Sequence, residues 1–284
     1  MSSIAIITDT DASLSPELAE EHGIRQAAIN VHFGEKLYRT WADINDKQLF
    51  ARIDADGKLP TTSAPSPGQF AEVYQAAFDN GADEIICFTV SEKISATYSA
   101  ALAAKEFIPG KPITVVDTRQ LSMAQGFMVL EAAKLAQNAY SREEIINRAL
   151  NVGERVHLFG ALSTLKYLAM SGRVGHLTAG MANILNIKPI LSIQEGKLEL
   201  LEKVRTRHKA WARVVELTEN ALSGKTPEQM AIIHVAASEQ AREFETLLRE
   251  KLPCPPKILI AELTAGLSVH SGAGLVGVTV VTAE

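Results

Sequence analysis

The sequence predicts an α/β protein of two lobes, with a mainly parallel sheet and flanking helices in the first and a mixed sheet in the second. Three observations carry this. In the first half, short apolar runs alternate with helical patterns, as in a parallel sheet covered by helices. In the second half, Ile187 to Ile193 and Leu198 to Thr206 flank a Glu-Gly-Lys turn as a hairpin, which brings antiparallel pairing among the α/β units. At 284 residues the chain also exceeds what one small core needs. The lobes are expected at residues 1–158 and 159–284, with the last strand near the cleft between them.

The elements follow in order. Ile4 to Asp9 (IAIITD) is a short apolar run ending in a turn, hence a buried strand. Ser15 to Gly23 opens on Ser-Pro-Glu and closes on Gly, as a capped helix does. Ile24 to Phe33 reads as a second strand, and Asp46 to Asp54 as a helix. Pro65 to Asn80 places Phe70, Val73, Tyr74 and Phe78 on one helical face. Asp83 to Val90 is a strand, followed by a helix from about Ser95 to Phe107 and a strand at Pro112 to Thr118. Helices are expected at Ser122 to Asn138 and Ser141 to Val156, the latter with Glu144 placed for a capping box. Beyond lie a strand at Val156 to Ser163 and a helix from Leu165 broken at Gly172. After the hairpin come a helix at Ala210 to Leu222, strands at Met230 to Ala236 and Lys257 to Leu263 around a helix at Ser238 to Leu252, and a closing strand from Gly274 to Thr282.

Composition narrows the function. Net charge is −5, and the one basic cluster, Lys203 to Arg213, is local. That argues against a nucleic-acid surface, which needs a basic stripe. The two cysteines, Cys87 and Cys254, and the seven histidines show no metal-ligand spacing. No apolar run reaches the roughly 20 residues of a membrane span, and no signal segment opens the chain. A soluble cytoplasmic protein is expected.

Two segments place small hydroxyl side chains where a loop is expected to turn into a helix: Thr61 to Phe70 (TTSAPSPGQF) and Ser91 to Ala101 (SEKISATYSAA). Helix starts carry unpaired N–H groups and favour negative charge, so two of them close together would seat an anion without a lysine. Each segment also reads as plain turn and cap chemistry. Asp9 and Asp11, just after the first strand, match the nucleophile loop of a magnesium-dependent phosphatase, or else a turn that caps the next helix. Ser95 with His270 would be a second hydrolase reading, although Gly-x-Ser-x-Gly and Ser-x-x-Lys are both missing. His270 lies in a glycine-rich stretch, Gly266 to Gly274, expected to be a loop before the last strand.

In this order the pieces resemble the DegV family of bacterial fatty-acid-binding proteins. The matching segments run from IITDTDASLS through TSAPSPGQF, SEKISATYSAA, VVDTRQLSMAQG, LKYLAMSGRVG and IKPILSIQEGKLELLEKVRTRHKA to GLSVHSGAGLVGV. The resemblance implies two α/β lobes enclosing a long-chain fatty acid, with its carboxylate held by hydroxyls and its tail in an apolar tunnel. It implies no cofactor and no catalysis by the chain alone. Several members serve a separate ATP-dependent fatty acid kinase, which phosphorylates the bound carboxylate for phospholipid synthesis. By position, Thr62, Ser95 and His270 match the carboxylate-binding residues. Arg173 and Arg205 match two arginines near the head group, and Ser63 and Ser122 are expected to face the head group or the kinase. A carrier or sensor that works without a kinase is the alternative within the family. The chain departs from the usual pattern at Ala64, Glu92, Ala96, Met170 to Gly172 and Ser271 to Gly274, which touches the kinase-facing surface more than the lipid site.

Overall fold

A computed structural model describes residues 3–172 and 187–284. The first half holds strands β1 (Ile4–Asp9), β2 (Arg25–Ala27), β3 (Asn30–Phe33), β4 (Lys36–Arg39), β5 (Thr61–Ser63), β6 (Glu84–Thr89) and β7 (Ile113–Asp117). Its helices are α1 (Pro16–Glu21), α2 (Asp46–Asp56), α3 (Pro67–Asp79), α4 (Thr97–Ala103), α5 (Ser122–Gln137) and α6 (Arg142–Arg155). The second half adds β8 (Val156–Ala161), β9 (Lys188–Gln194), β10 (Lys197–Val204), β11 (Gln229–His234), β12 (Leu259–Glu262) and β13 (Val276–Val281). Its helices are α7 (Lys166–Ser171), α8 (Arg207–Leu222), α9 (Ser238–Lys251) and α10 (Ala265–Ser271).

The parallel sheet runs β2-β1-β6-β7 and the mixed sheet β10-β9-β8-β13-β11-β12. Among the described strands of the mixed sheet, β11 and β12 alone pair in parallel. The last strand, β13, is central there, between β8 and β11. Helix α5 packs on strands of both sheets. It is apolar on nearly every side, so only a site buried all round suits it, and eleven of its residues are buried. One core therefore draws on both halves, from Ile6, Phe88 and Phe127 to Ile233 and Leu275.

Several elements differ from expectation. The run Ile24 to Phe33 is two strands in two sheets, because the chain leaves the parallel sheet at Ala28 and Ile29. The Ile29 N–H is met by Thr10 Oγ1 at 3.0 Å, and β3 then joins a small antiparallel sheet, β4-β3-β5. Thr61 to Ser63 forms an edge of that sheet rather than a helix start. Helix α3 begins at Pro67 under its own cap, Ser66, in a reciprocal capping box with Gln69. Residues 265–271 form helix α10 rather than a loop. The run Ala265, Val269 buries one helical face against Val31 and Leu49, and Gly272 and Gly274 lie beyond its end.

Candidate functional site

The carboxyl ends of parallel strands are where α/β sheets leave a crevice, and here β1, β6 and β7 open onto a cavity of about 630 Å³. Asp11 follows β1, Val90 to Ala96 follow β6, and Leu121 follows β7. The second half closes it with Leu168 of α7, Leu198 of β10, and Gly266, Leu267 and His270 of α10. Ile29, Val90, Leu121, Leu168, Leu198 and Leu267 give the cavity apolar walls. Among the described residues no lysine or arginine lines it.

Thr62 and His270 meet here. Strand pairing of Thr62 with Val31 sets one partner, and α10 carries the other. Thr62 Oγ1 and His270 Nε2 are hydrogen-bonded at 2.8 Å, across 208 residues of sequence. Helix α10 can come this close because residue 266 is glycine. A Cβ there would stand 2.9 Å from Ile29 Cγ2 and 3.0 Å from Asp11 Oδ1. Thr62 and His270 also line a second, outer recess of about 430 Å³ with Lys58, Pro60, Met170 and Val269. The pair thus stands in the wall between an apolar chamber and an outer pocket.

The other residues singled out from sequence fall in different places. Ser95 is half-buried and lines the cavity; its Oγ lies 2.8 Å from Thr97 Oγ1 and accepts the Thr97 N–H at 3.3 Å. It is therefore not the cap residue of α4, a position held by Ala96. Ser63 lines the cavity and shares a 2.8 Å hydrogen bond with His32 Nε2. Ser122 is fully buried and donates to Ser13 Oγ at 3.1 Å, so it faces neither a head group nor a partner. The α5 start tucks its hydroxyl inward, and its neighbour Leu121 reaches the cavity instead. Arg205 is exposed just past β10, seven residues from Leu198. That is roughly 20 Å along a strand, and Arg205 does not line the cavity. Arg173 lies outside the described residues. Of the two segments expected to be helix starts, Thr61 to Ser63 is an edge strand and Ser95 precedes the cap position of α4.

The two aspartates part company. Asp9 is fully buried; its Oδ1 accepts the Asp11 N–H at 2.9 Å, and its Oδ2 accepts the Val90 N–H at 2.8 Å and Gln125 Nε2 at 3.2 Å. Burial pushes its carboxyl up to about 6 against the pull of those donors. With no exposed oxygen it ties β1 to the end of β6 and cannot attack a phosphorus atom. Asp11 instead borders the cavity, and its Oδ1 accepts from Thr264 Oγ1 at 3.2 Å. In the sequence Asp11 carries only the signature of a phosphatase or turn residue. The apolar walls gave no local signal either, since they come from six separate segments. Among the described residues no group of three or more His, Cys, Asp or Glu could hold a metal ion.

The β9–β10 hairpin closes one rim. Ser91 Oγ donates to the Gly196 carbonyl at 2.7 Å, and Lys93 Nζ donates to the Glu195 carbonyl at 2.8 Å. These two bonds hold a turn of the second half against the loop after β6.

A family model described as "Uncharacterised protein, DegV family" matches residues 3–283. The chain belongs to the DegV family. A DegV domain-containing protein of Streptomyces coelicolor is 34% identical over 277 residues, covering 98% of each chain. Protein DegV of Bacillus subtilis is 30% identical, covering 97% of this chain and 98% of its own. Among solved structures, a DegV family protein of Thermus thermophilus described by its fatty acid binding superposes with a TM-score of 0.90. It is 28% identical, over 99% of this chain and 100% of that one. DegV of Bacillus subtilis, described as a fatty acid binding protein, superposes with a TM-score of 0.88 at 30% identity over the whole of both chains. The α/β fold with one parallel and one mixed sheet is the DegV fold. No helix among the described residues is long and apolar enough to cross a membrane.

Proposed function

We propose that this chain binds one long-chain fatty acid in the 630 Å³ cavity and presents its carboxyl group to a separate ATP-dependent kinase in the cytoplasm. The carboxyl sits at Thr62 and His270, with Ser95 and Ser63 as further hydroxyl donors, and the tail lies along the apolar walls. The chain itself is the non-catalytic, lipid-holding subunit. Residues 1–158 and 159–284 act as the two lobes that enclose the acid.

The observation that carries this reading is the Thr62–His270 hydrogen bond set in the wall between an apolar chamber and an outer recess. A buried carboxyl left without hydrogen bonds costs several kcal/mol, and this pair supplies them. The tail supplies the affinity. Each buried methylene contributes about 0.8 kcal/mol, so ten contribute about 8, less the cost of association. The outer recess gives a phosphoryl donor access to the carboxyl while the tail stays sheltered. The solved relatives described as fatty acid binding support the ligand class, and the family resemblance supports the kinase.

Independent hydrolysis fits the geometry poorly. Asp9 is enclosed, and Ser95 bonds Thr97 while His270 bonds Thr62, so these bonds of Ser95 and His270 go to partners other than each other. Denaturing mass spectrometry of the purified protein should find a long-chain fatty acid in one-to-one proportion. No co-purifying lipid, together with no binding of added oleate, would sink the reading. A pull-down that recovers a kinase separates presentation from simple carriage or sensing.

A further inference from the structure

Strands β11 and β12 are parallel, and their last residues, His234 and Glu262, are in-register partners. Their backbones therefore stand about 4.8 Å apart and their side chains leave the same face. Beyond them lies a cavity of about 510 Å³, separate from the fatty-acid chamber, which both residues line. That size suits a small ligand.

His234 is only 5% exposed. Its Nδ1 accepts the Ala237 N–H at 3.5 Å, which places the ring proton on Nε2. Nε2 has no hydrogen-bond partner among the described residues. Burial lowers the ring's pKa and keeps it neutral. Helix α9, fourteen residues long, starts at the same cavity with Ser238 in the lining. Its cap position is Ala237, which has no side-chain acceptor, so the first-turn N–H groups are left for something else. The buried indole N–H of Trp41, another lining residue, also lacks a partner. This side of the cavity is rich in donors. Facing them among the described residues is one half-buried carboxyl, Glu262, and none of the described lysines or arginines lines the space. Leu18, Met123, Leu259 and Ile260 make up an apolar wall.

These groups select a charge pattern. A simple anion would meet the Glu262 carboxylate with no cation to offset it. A simple cation would meet a helix N-terminus and a neutral imidazole whose open position is a donor. A molecule carrying both charges satisfies each side. We propose that this cavity binds a small zwitterion of the α-amino-acid class with an apolar side chain. Its carboxylate accepts from His234 Nε2 and the α9 N-terminus, its ammonium donates to Glu262, and its side chain lies against Leu18, Met123, Leu259 and Ile260.

The test is calorimetric titration of the full chain with L-leucine and with its two single-charge analogues, 4-methylpentanoate and 3-methylbutylamine. Leucine should bind saturably, and each analogue about tenfold or more weakly, as expected for loss of one charge-assisted contact. Glu262→Gln and His234→Leu should each weaken leucine by about the same factor while oleate binding stays at the wild-type level. The proposal is overturned if wild-type protein shows no saturable leucine binding at millimolar concentration. It is equally overturned if either analogue binds as well as leucine, or if leucine binding survives both substitutions. None of these outcomes bears on the fatty-acid site.

Discussion

Asp46 offers the sharpest test of how the two halves are joined. It is the first residue of α2, only 2% exposed, and its Oδ2 accepts from Ser268 Oγ of α10 at 2.9 Å. Burial raises its carboxyl to about 7 from an ordinary 3.8. Glu262 nearby adds to this, while the Ser268 hydroxyl and the Ala236 N–H oppose it. The folded state thus holds this proton up to about pH 7, whereas the unfolded chain releases it near 3.8. Between those values the native state binds more protons, so stability falls as pH rises and levels off above 7. Converted at 1.36 kcal/mol per pKa unit, the penalty is about 4 kcal/mol at pH 8 and under about 2 at pH 5. Asp46→Asn keeps an oxygen acceptor for Ser268 and removes the charge. It also forfeits the favourable carboxylate at a helix N-terminus, worth about 0.3–1 kcal/mol. The variant should therefore be about 3 kcal/mol more stable than wild type at pH 8, with the gain reduced by about 2–3 at pH 5. Asp9 titrates with the same sign in both proteins and cancels in the difference. Urea unfolding of both proteins at the two pH values measures this. An Asn-minus-Asp difference that does not change with pH would refute the argument.

Thr62→Val keeps the shape and removes the hydroxyl, so oleate affinity should fall about tenfold with little change in melting temperature; equal affinity would mean the carboxyl lies elsewhere. With Asp11 and Glu92 in the lining and no lysine or arginine there among the described residues, the bound acid should titrate above the ordinary carboxyl range. Carbon-13 NMR of carboxyl-labelled oleate reads this directly, and affinity should weaken as pH rises through that value. Gly196→Ala should unlatch the hairpin, because φ is +79° and the new Cβ would stand 2.8 Å from Ser91 Oγ. Gly224→Ala, at φ +81° with nothing within 4 Å, carries the backbone cost alone. The first should be less stable than the second by about 1 kcal/mol or more in thermal unfolding, and equal losses would mean the contact with Ser91 is unimportant.

Much of the fold was legible because its signals are local. Apolar runs mark β1, β6 and β7, and the boxes Ser66–Gln69 and Ser141–Glu144 mark where α3 and α6 begin. These depend on neighbours a few residues apart. The order of motifs along the chain was enough to point to the DegV family and to put Thr62, Ser95 and His270 forward as a set. What the sequence could not supply was any relation between distant segments. The edge strand β5 gains its identity only from pairing with β3, and α10 from the surface it covers. Ser122 and Asp9 look like available polar groups in sequence, yet each is sealed inside by packing that arrives from elsewhere. The 2.8 Å contact of Thr62 with His270 and the walls of the chamber exist only after both sheets have closed on α5. Local patterning is written in short-range sterics and hydrophobic period, whereas a cavity is the space left between surfaces that no single segment encodes.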